Sequence, residues 1–318
     1  MTVLIDVHAH FVSDRYIEEA RAAGHLRPDG MPAWPKWSPE SHLALMDRCR
    51  IGKSMLSVSS PGTHFGDTDA ARALTRSMNE YAAEVRLQHP GRFGHFASLP
   101  LPDVQGSVEE ATYALDDLGA DGLTVETNAH GTYLGEPLFE PVWKALDARQ
   151  AVVFVHPTSP PHAEDVALGR PRPLMEFLFD SARSASDLVL NGVLTRFPGI
   201  RWIFSHSGGV LPLLVDRIQL FADVILPMGP SGDRTPSPSV RDQLAGLWFD
   251  MAGTPFPLQV PTLVDVVGSR RLLYGSDYCW TPQQAVVSQV ASIDRAVQPE
   301  GDTWRALTTR NAERLLAR

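Results

Sequence analysis

The chain has 318 residues, 43% hydrophobic and 20% charged, a balance that supports a large buried core. Twenty-eight lysines and arginines against 37 acids leave a formal charge of −9, and no basic cluster offsets it, which argues against a nucleic-acid or anionic-membrane partner. The longest apolar region, 210–228, is interrupted by Asp216, Arg217 and Asp223 and reads as an amphipathic helix rather than a membrane span.

The first predicted strand, 3–8, runs directly into His8 and His10, in Val3-Leu4-Ile5-Asp6-Val7-His8-Ala9-His10. Alternate residues of an extended strand share a face, so the two imidazoles point the same way, as two ligands of one ion must. Two polar residues at a strand exit are the plain alternative. Residues 24–38, with Pro28, Pro32, Trp34, Pro35 and Trp37, form an irregular stretch expected over the C-terminal end of that strand, as a lid or as a packed surface loop. Helices over 39–50, 69–89 and 104–118 then alternate with strands at 54–59, 93–98 and 121–126. A helix over 140–149 precedes a strand at 151–156, whose Ala151-Val152-Val153-Phe154-Val155 is continuously apolar, as in a parallel strand covered on both faces. A helix over 174–196, a strand at 200–205, a Pro- and Gly-rich exposed connection at 226–239, and strands at 246–251 and 271–276 complete the chain. Eight strands alternating with helices predict one (β/α)8 TIM barrel spanning 1–318, an α/β single domain with inserted loops over its C-terminal face. An open doubly wound sheet is the runner-up, but no Gly-x-Gly-x-x-Gly turn follows any strand. With two cysteines, Cys49 and Cys279, and no charged leader before a long apolar stretch, the expected location is a reducing cytoplasm.

Residues just after the strands of such a barrel converge on one face. That rule gathers His8 and His10 from strand one, His156 from strand five, His206 from strand six and Asp277 from strand eight. Singly, each is a satisfied polar residue or a helix cap; together they read as a metal site. Phe11, His64, Asn128, His130 and Trp280 also follow strands and are candidates to line a substrate pocket. Trp34, Trp37, Phe177 and Phe179 are candidate apolar walls, with core packing as their alternative. Cys279, close to Asp277, reads as small buried packing rather than as a nucleophile.

The segments His-x-His, His156-Pro157, Ser205-His206-Ser207-Gly208-Gly209 and Gly275-Ser276-Asp277-Tyr278 resemble the amidohydrolase superfamily, in its branch around 2-amino-3-carboxymuconate-6-semialdehyde decarboxylase. Within that branch, Trp37-Ser38-Pro39-Glu40, Leu56-Ser57-Val58-Ser59-Ser60-Pro61-Gly62 and Phe96-Ala97-Ser98-Leu99-Pro100 are similar to the 6-methylsalicylate decarboxylases. The resemblance implies that His8, His10, His156 and Asp277 hold one divalent ion, zinc in first place with manganese as the alternative. It implies that His206 is a catalytic base or proton shuttle and that Asp277 shares the proton chemistry. Two-metal members carry a carboxylated lysine after strand four. Here the three lysines are Lys36, Lys53 and Lys144, and the position reads Val125-Glu126-Thr127-Asn128, which favours a single ion. Glu126 is either a substitute bridging carboxylate or an ordinary ion-pair residue. Arg217, eleven residues after His206, matches an arginine that reaches the neighbouring subunit's site and holds the substrate carboxylate, which implies a homodimer; an intrahelical salt bridge is its other reading. The implied activity is non-oxidative decarboxylation of a small ortho-hydroxybenzoate or enol-like carboxylic acid. A mononuclear hydrolase of a lactone or amide is the main rival, and a catalytically silent binding barrel the third reading.

Overall fold

The apolar runs pair edge to edge in the order in which they occur. A computed structural model describes residues 3–225 and 238–317. Its main sheet contains Leu4–His10, Ile51–Ser57, Phe93–Ser98, Gly122–Glu126, Val152–His156, Arg201–Phe204, Trp248–Asp250 and Leu272–Leu273, in that sequential order and with parallel neighbours. Parallel bridges from Asp6 to Tyr274 and from Ala9 to Tyr278 join the last strand to the first, so the sheet closes into a (β/α)8 barrel.

Alternation along the strands builds two cores. Val152 and Phe154 belong to an inner cluster with Val7, Met55, Phe96, Ile203, Trp248 and Leu273. Val153 and Val155 belong to the larger cluster that includes the surrounding helices. The C-terminal helix, Trp304–Leu316, covers the strand-start end of the barrel. Its Ala312 and Leu315 join the inner cluster, Thr309 Oγ1 donates to Val3 O at 2.7 Å, and Asn311 Nδ2 donates to Leu272 O at 2.8 Å. The other end is left for the loops.

Local chemistry sets the helix starts. Ser38 accepts from the backbone N–H of Ser41 while the Ser41 hydroxyl accepts from that of Ser38, a reciprocal cap for Pro39–Cys49. Asp67 and Asp103 cap Thr68–Gln88 and Val104–Asp116 through Ala70 N and Gly106 N.

Several boundaries differ from the expectations. The second strand begins at Ile51, not 54, because Ile51 and Lys53 pair with Leu4 and Ile5 despite the intervening Gly52. The helix expected over 174–196 is two helices, Glu176–Leu190 and Val193–Arg196, broken where Gly192 adopts a left-handed φ of 67°. The last strand is short, Leu272–Leu273, and beyond it the contact with the first strand is irregular, with Ser276 N donating to Asp6 Oδ1 at 3.0 Å as well as to the His8 carbonyl at 3.2 Å. A short antiparallel pair, Asn128–Ala129 with Thr132–Tyr133, was not foreseen. The connection expected at 226–239 lies outside the described residues, apart from 238 and 239.

Candidate metal centre

Strict alternation would turn His8 away from its neighbour Val7. Instead Val7 belongs to the inner cluster and the His8 ring lies 4.9 Å from Phe154, a member of the same cluster. A register shift between Asp6 and Ala9 accounts for this: the bulge re-aims His8, and alternation then carries His10 to the same side. At strand eight, Gly275 permits a close passage, since a Cβ there would sit 2.7 Å from His8 Cβ. His206, Ser207 and Asp277 have φ of 51°, 55° and 58°, a left-handed conformation costing about 1–3 kcal/mol each in non-glycine residues. The surrounding structure holds these side chains where local preference would not.

One donor atom from each of His8, His10, His156 and Asp277 lies within 4.8 Å of the others. His8 Nε2 is 3.0 Å from His10 Nε2, and Asp277 Oδ1 is 3.4 Å and 3.3 Å from those two nitrogens. The second ring nitrogens are already engaged. His8 Nδ1 is 2.9 Å from Asp250 Oδ2, and His10 Nδ1 is 3.3 Å from the Ser57 carbonyl. Protons on the two Nδ1 atoms leave lone pairs on both Nε2 atoms, facing each other and a carboxylate oxygen. Three acceptors converging without a shared donor fit a cation, and the N3O donor set is one that divalent transition ions take.

The electrostatics agree with this arrangement. Burial opposes charge on His8, but Asp250 and Asp277 outweigh it and raise His8 to about 10, so this position attracts positive charge. Burial and the neighbouring His8 hold His10 low, and burial with His10 and His8 hold His156 well below the usual imidazole range; both are neutral and ready to ligate. Burial works against ionised Asp277, yet the close imidazoles of His10, His206 and His8 keep it well below the ordinary carboxylate range.

His206 stands on the far side of the carboxylate, its Nε2 3.5 Å from Asp277 Oδ2. Its backbone is fixed at both ends: its N–H donates to Asp250 Oδ1 at 3.0 Å and its carbonyl accepts from Gln259 Nε2 at 2.6 Å. Asp250 therefore orients both His8 and His206. It ends strand seven, Trp248–Asp250, and obeys the same strand-exit rule as the other site residues, which is the sequence signal for it.

His156, His206, Asp277 and Trp280 line a cavity of about 460 Å³ whose walls include Phe177, Leu178 and Leu174. His64, Asn128 and His130 do not face it. They line a neighbouring polar cavity of about 450 Å³, separated from the first by Asp29 of the 24–38 loop. That loop is packed as a wall: Trp34 is buried against Trp280, and Asp29 Oδ1 accepts from Ser159 Oγ at 2.5 Å. Phe11 lies in the core between Trp37 and Tyr81, away from both cavities, because it points outward into the helix layer. Phe179 is exposed. Glu126 lines the polar cavity with Oε2 3.5 Å from His156 Nδ1, and burial raises its carboxyl well above the ordinary range. Lys53 pairs with Asp121, and no lysine is among the described residues lining either cavity. Burial pushes the Cys279 thiol up, which suits packing. Arg217 lies exposed on the helix Leu211–Leu220, with its guanidinium 5.1 Å over the Phe221 ring and no ion pair among the described residues.

Comparison with known proteins places this geometry in context. The profile of the amidohydrolase family matches residues 5–318. Decarboxylase yanB of Aspergillus niger is 34% identical over 333 residues, an alignment covering 99% of this chain and 87% of that protein. The 6-methylsalicylic acid decarboxylase acuB of Aspergillus aculeatus is 36% identical over 316 residues, covering 95% and 93%. A crystal structure described as amidohydrolase II superposes with a TM-score of 0.91 at 32% identity, covering 99% of this chain and 100% of that one.

Proposed function

The chain belongs to the amidohydrolase family, and from that membership and the donor set we propose that it is a metal-dependent decarboxylase of an ortho-hydroxybenzoate of the 6-methylsalicylate type. The observation that carries this reading is the convergence of His8, His10, His156 and Asp277, the last two of which line a largely apolar cavity. These four residues would hold the ion, for which nitrogen-rich ligation favours zinc, with manganese as the alternative.

When bound, the ion supplies a fixed positive charge for the acid's carboxylate or ortho-hydroxyl oxygen. Phe177, Leu178 and Trp280 enclose the ring and limit its access to water. The His206–Asp277 pair delivers a proton to the carboxyl-bearing ring carbon. That step interrupts aromaticity. The carbon–carbon bond then breaks, its electron pair returns to the ring, and carbon dioxide leaves. No organic cofactor takes part.

Arg217 fits a homodimer in which it reaches the partner's site and grips the acid's carboxylate, since it is exposed beside the apolar Leu213, Leu220 and Phe221. Two free, buried cysteines suit a reducing cytoplasm. No helix among the described residues is long and apolar enough to cross a membrane.

The test is to incubate zinc- or manganese-loaded protein with 6-methylsalicylate and, separately, with an aryl lactone. The expected products are carbon dioxide and 3-methylphenol, with loss of turnover after chelation and recovery on adding metal back. Lactone opening without carbon dioxide release would replace this reading with hydrolysis.

A further inference from the structure

The cavity beside the metal centre is uneven in its chemistry. Its ionisable lining groups are His156, His206, Asp277 and Asp29, its apolar walls include Phe177, Leu178, Leu174 and Trp280, and Gln259 with several serines and threonines supplies neutral polar groups. No lysine or arginine is among its described lining residues. The nearest arginines lining a cavity, Arg27 and Arg172, belong to the polar cavity on the other side of Asp29. With the partner's Arg217 engaged on the reacting carboxylate, a second carboxylate on the substrate would meet apolar walls, neutral hydroxyl and amide groups or the Asp29 carboxyl, and among the described lining residues no lysine or arginine replaces its hydration.

Size points the same way. Cavities of about 300–1,000 Å³ bury ligands of drug size, so 460 Å³ is more than a single ring with one methyl group fills. The excess is apolar and reaches the surface, where Leu174 is 61% exposed, and Leu258, next to the lining Gln259, is 75% exposed. Large aliphatic side chains left in water at a cavity mouth gain from an apolar ligand that lies across them.

We propose that the substrate is a mono-carboxylate carrying an extended apolar substituent, an alkyl chain of several carbons or a second ring, which runs from the metal centre along Phe177 and Leu178 towards Leu174 and Leu258. This rests on the decarboxylase reading for the headgroup only; the tail surface is a property of the cavity. Burying one methylene strengthens binding about fourfold, so a partly buried five-carbon chain is worth an order of magnitude or more.

The experiment compares 6-methylsalicylate, 6-pentylsalicylate and 2-hydroxyisophthalate with the metal-loaded full chain, reading both carbon dioxide release and binding by quenching of tryptophan fluorescence. The pentyl acid should bind at least tenfold more tightly than the methyl acid, with a correspondingly lower KM, and the dicarboxylate at least tenfold more weakly. Leu174→Lys should erase at least threefold of the pentyl advantage and strengthen dicarboxylate binding. Pentyl and methyl acids binding alike, or the dicarboxylate binding best, would overturn the inference while leaving decarboxylation of 6-methylsalicylate intact. Tight pentyl binding without carbon dioxide from any acid would retain the tail surface and remove the decarboxylase reading.

Discussion

His8 and His10 present the same nitrogen to the same point, but they are held from behind by different groups. A carboxylate backs His8 and a backbone carbonyl backs His10. Replacing Asp250 by Asn removes the charge that makes the His8 imidazole a strong donor, and metal affinity should fall 10- to 100-fold in competition with a chelator. His8→Ala or His156→Ala removes a proposed ligand, so metal content and turnover should fall together, by elemental analysis and product assay. His206→Asn should separate the two. The ion should stay, while turnover should drop about 100-fold or more if the proposed proton carrier is gone; near-normal turnover would remove His206 from the proton transfer. His8, His10, His156, His206 and Asp277 were legible in the sequence because each closes a recognisable apolar run. The roles of Asp250 and Ser57 as backing groups were not, because nothing local says which imidazole a strand-exit side chain will meet.

Two helices show how elements carry the site. Glu176–Leu190 brings Phe177 and Leu178 to the cavity wall, and its Asp180 is fully buried. Asp180 accepts from Asn128 Nδ2 at 2.9 Å, Tyr133 OH at 2.5 Å, Arg183 Nη1 at 2.7 Å and from the Thr127 hydroxyl, tying this helix to the exit of strand four. Asp180→Ala strands several buried donors and should cost at least about 2 kcal/mol in urea denaturation. Asn128 was expected beside substrate; the structure gives it a bond to this carboxylate and a place on the neighbouring cavity. The helix Pro39–Cys49 carries His42, packed against Phe93 and Tyr278 and accepting from Trp37 Nε1 at 3.0 Å. Burial lowers His42 from 6.5 to about 3. Between those values the unfolded chain binds a proton that the folded chain does not, so stability is lost as pH falls below 6.5. Denaturation at pH 7 and pH 4.5 should reveal about 2–3 kcal/mol of loss from this residue, absent in His42→Gln.

At the scale of the molecule, the described residues leave an apolar face beside Arg217 uncovered, with Leu213 76% exposed. If that face is the dimer contact, Leu213→Glu should shift sedimentation towards monomer, and Arg217→Ala should raise KM for the acid with little change in metal content. The order of the eight strands, the single barrel and the set of nitrogen and oxygen donors at its strand exits were determined by the sequence alone, because hydrophobic runs and the residues that end them are local properties of the chain. Only tertiary structure decided that a bulge turns His8 inward beside Val7, that Asp250 holds His8 across 242 positions of sequence, that Phe11 packs outward, and that the described residues of this chain lining the cavity beside the site include no lysine or arginine. Each of these depends on which distant surfaces meet when the sheet closes, and closure is a property of all eight strands together.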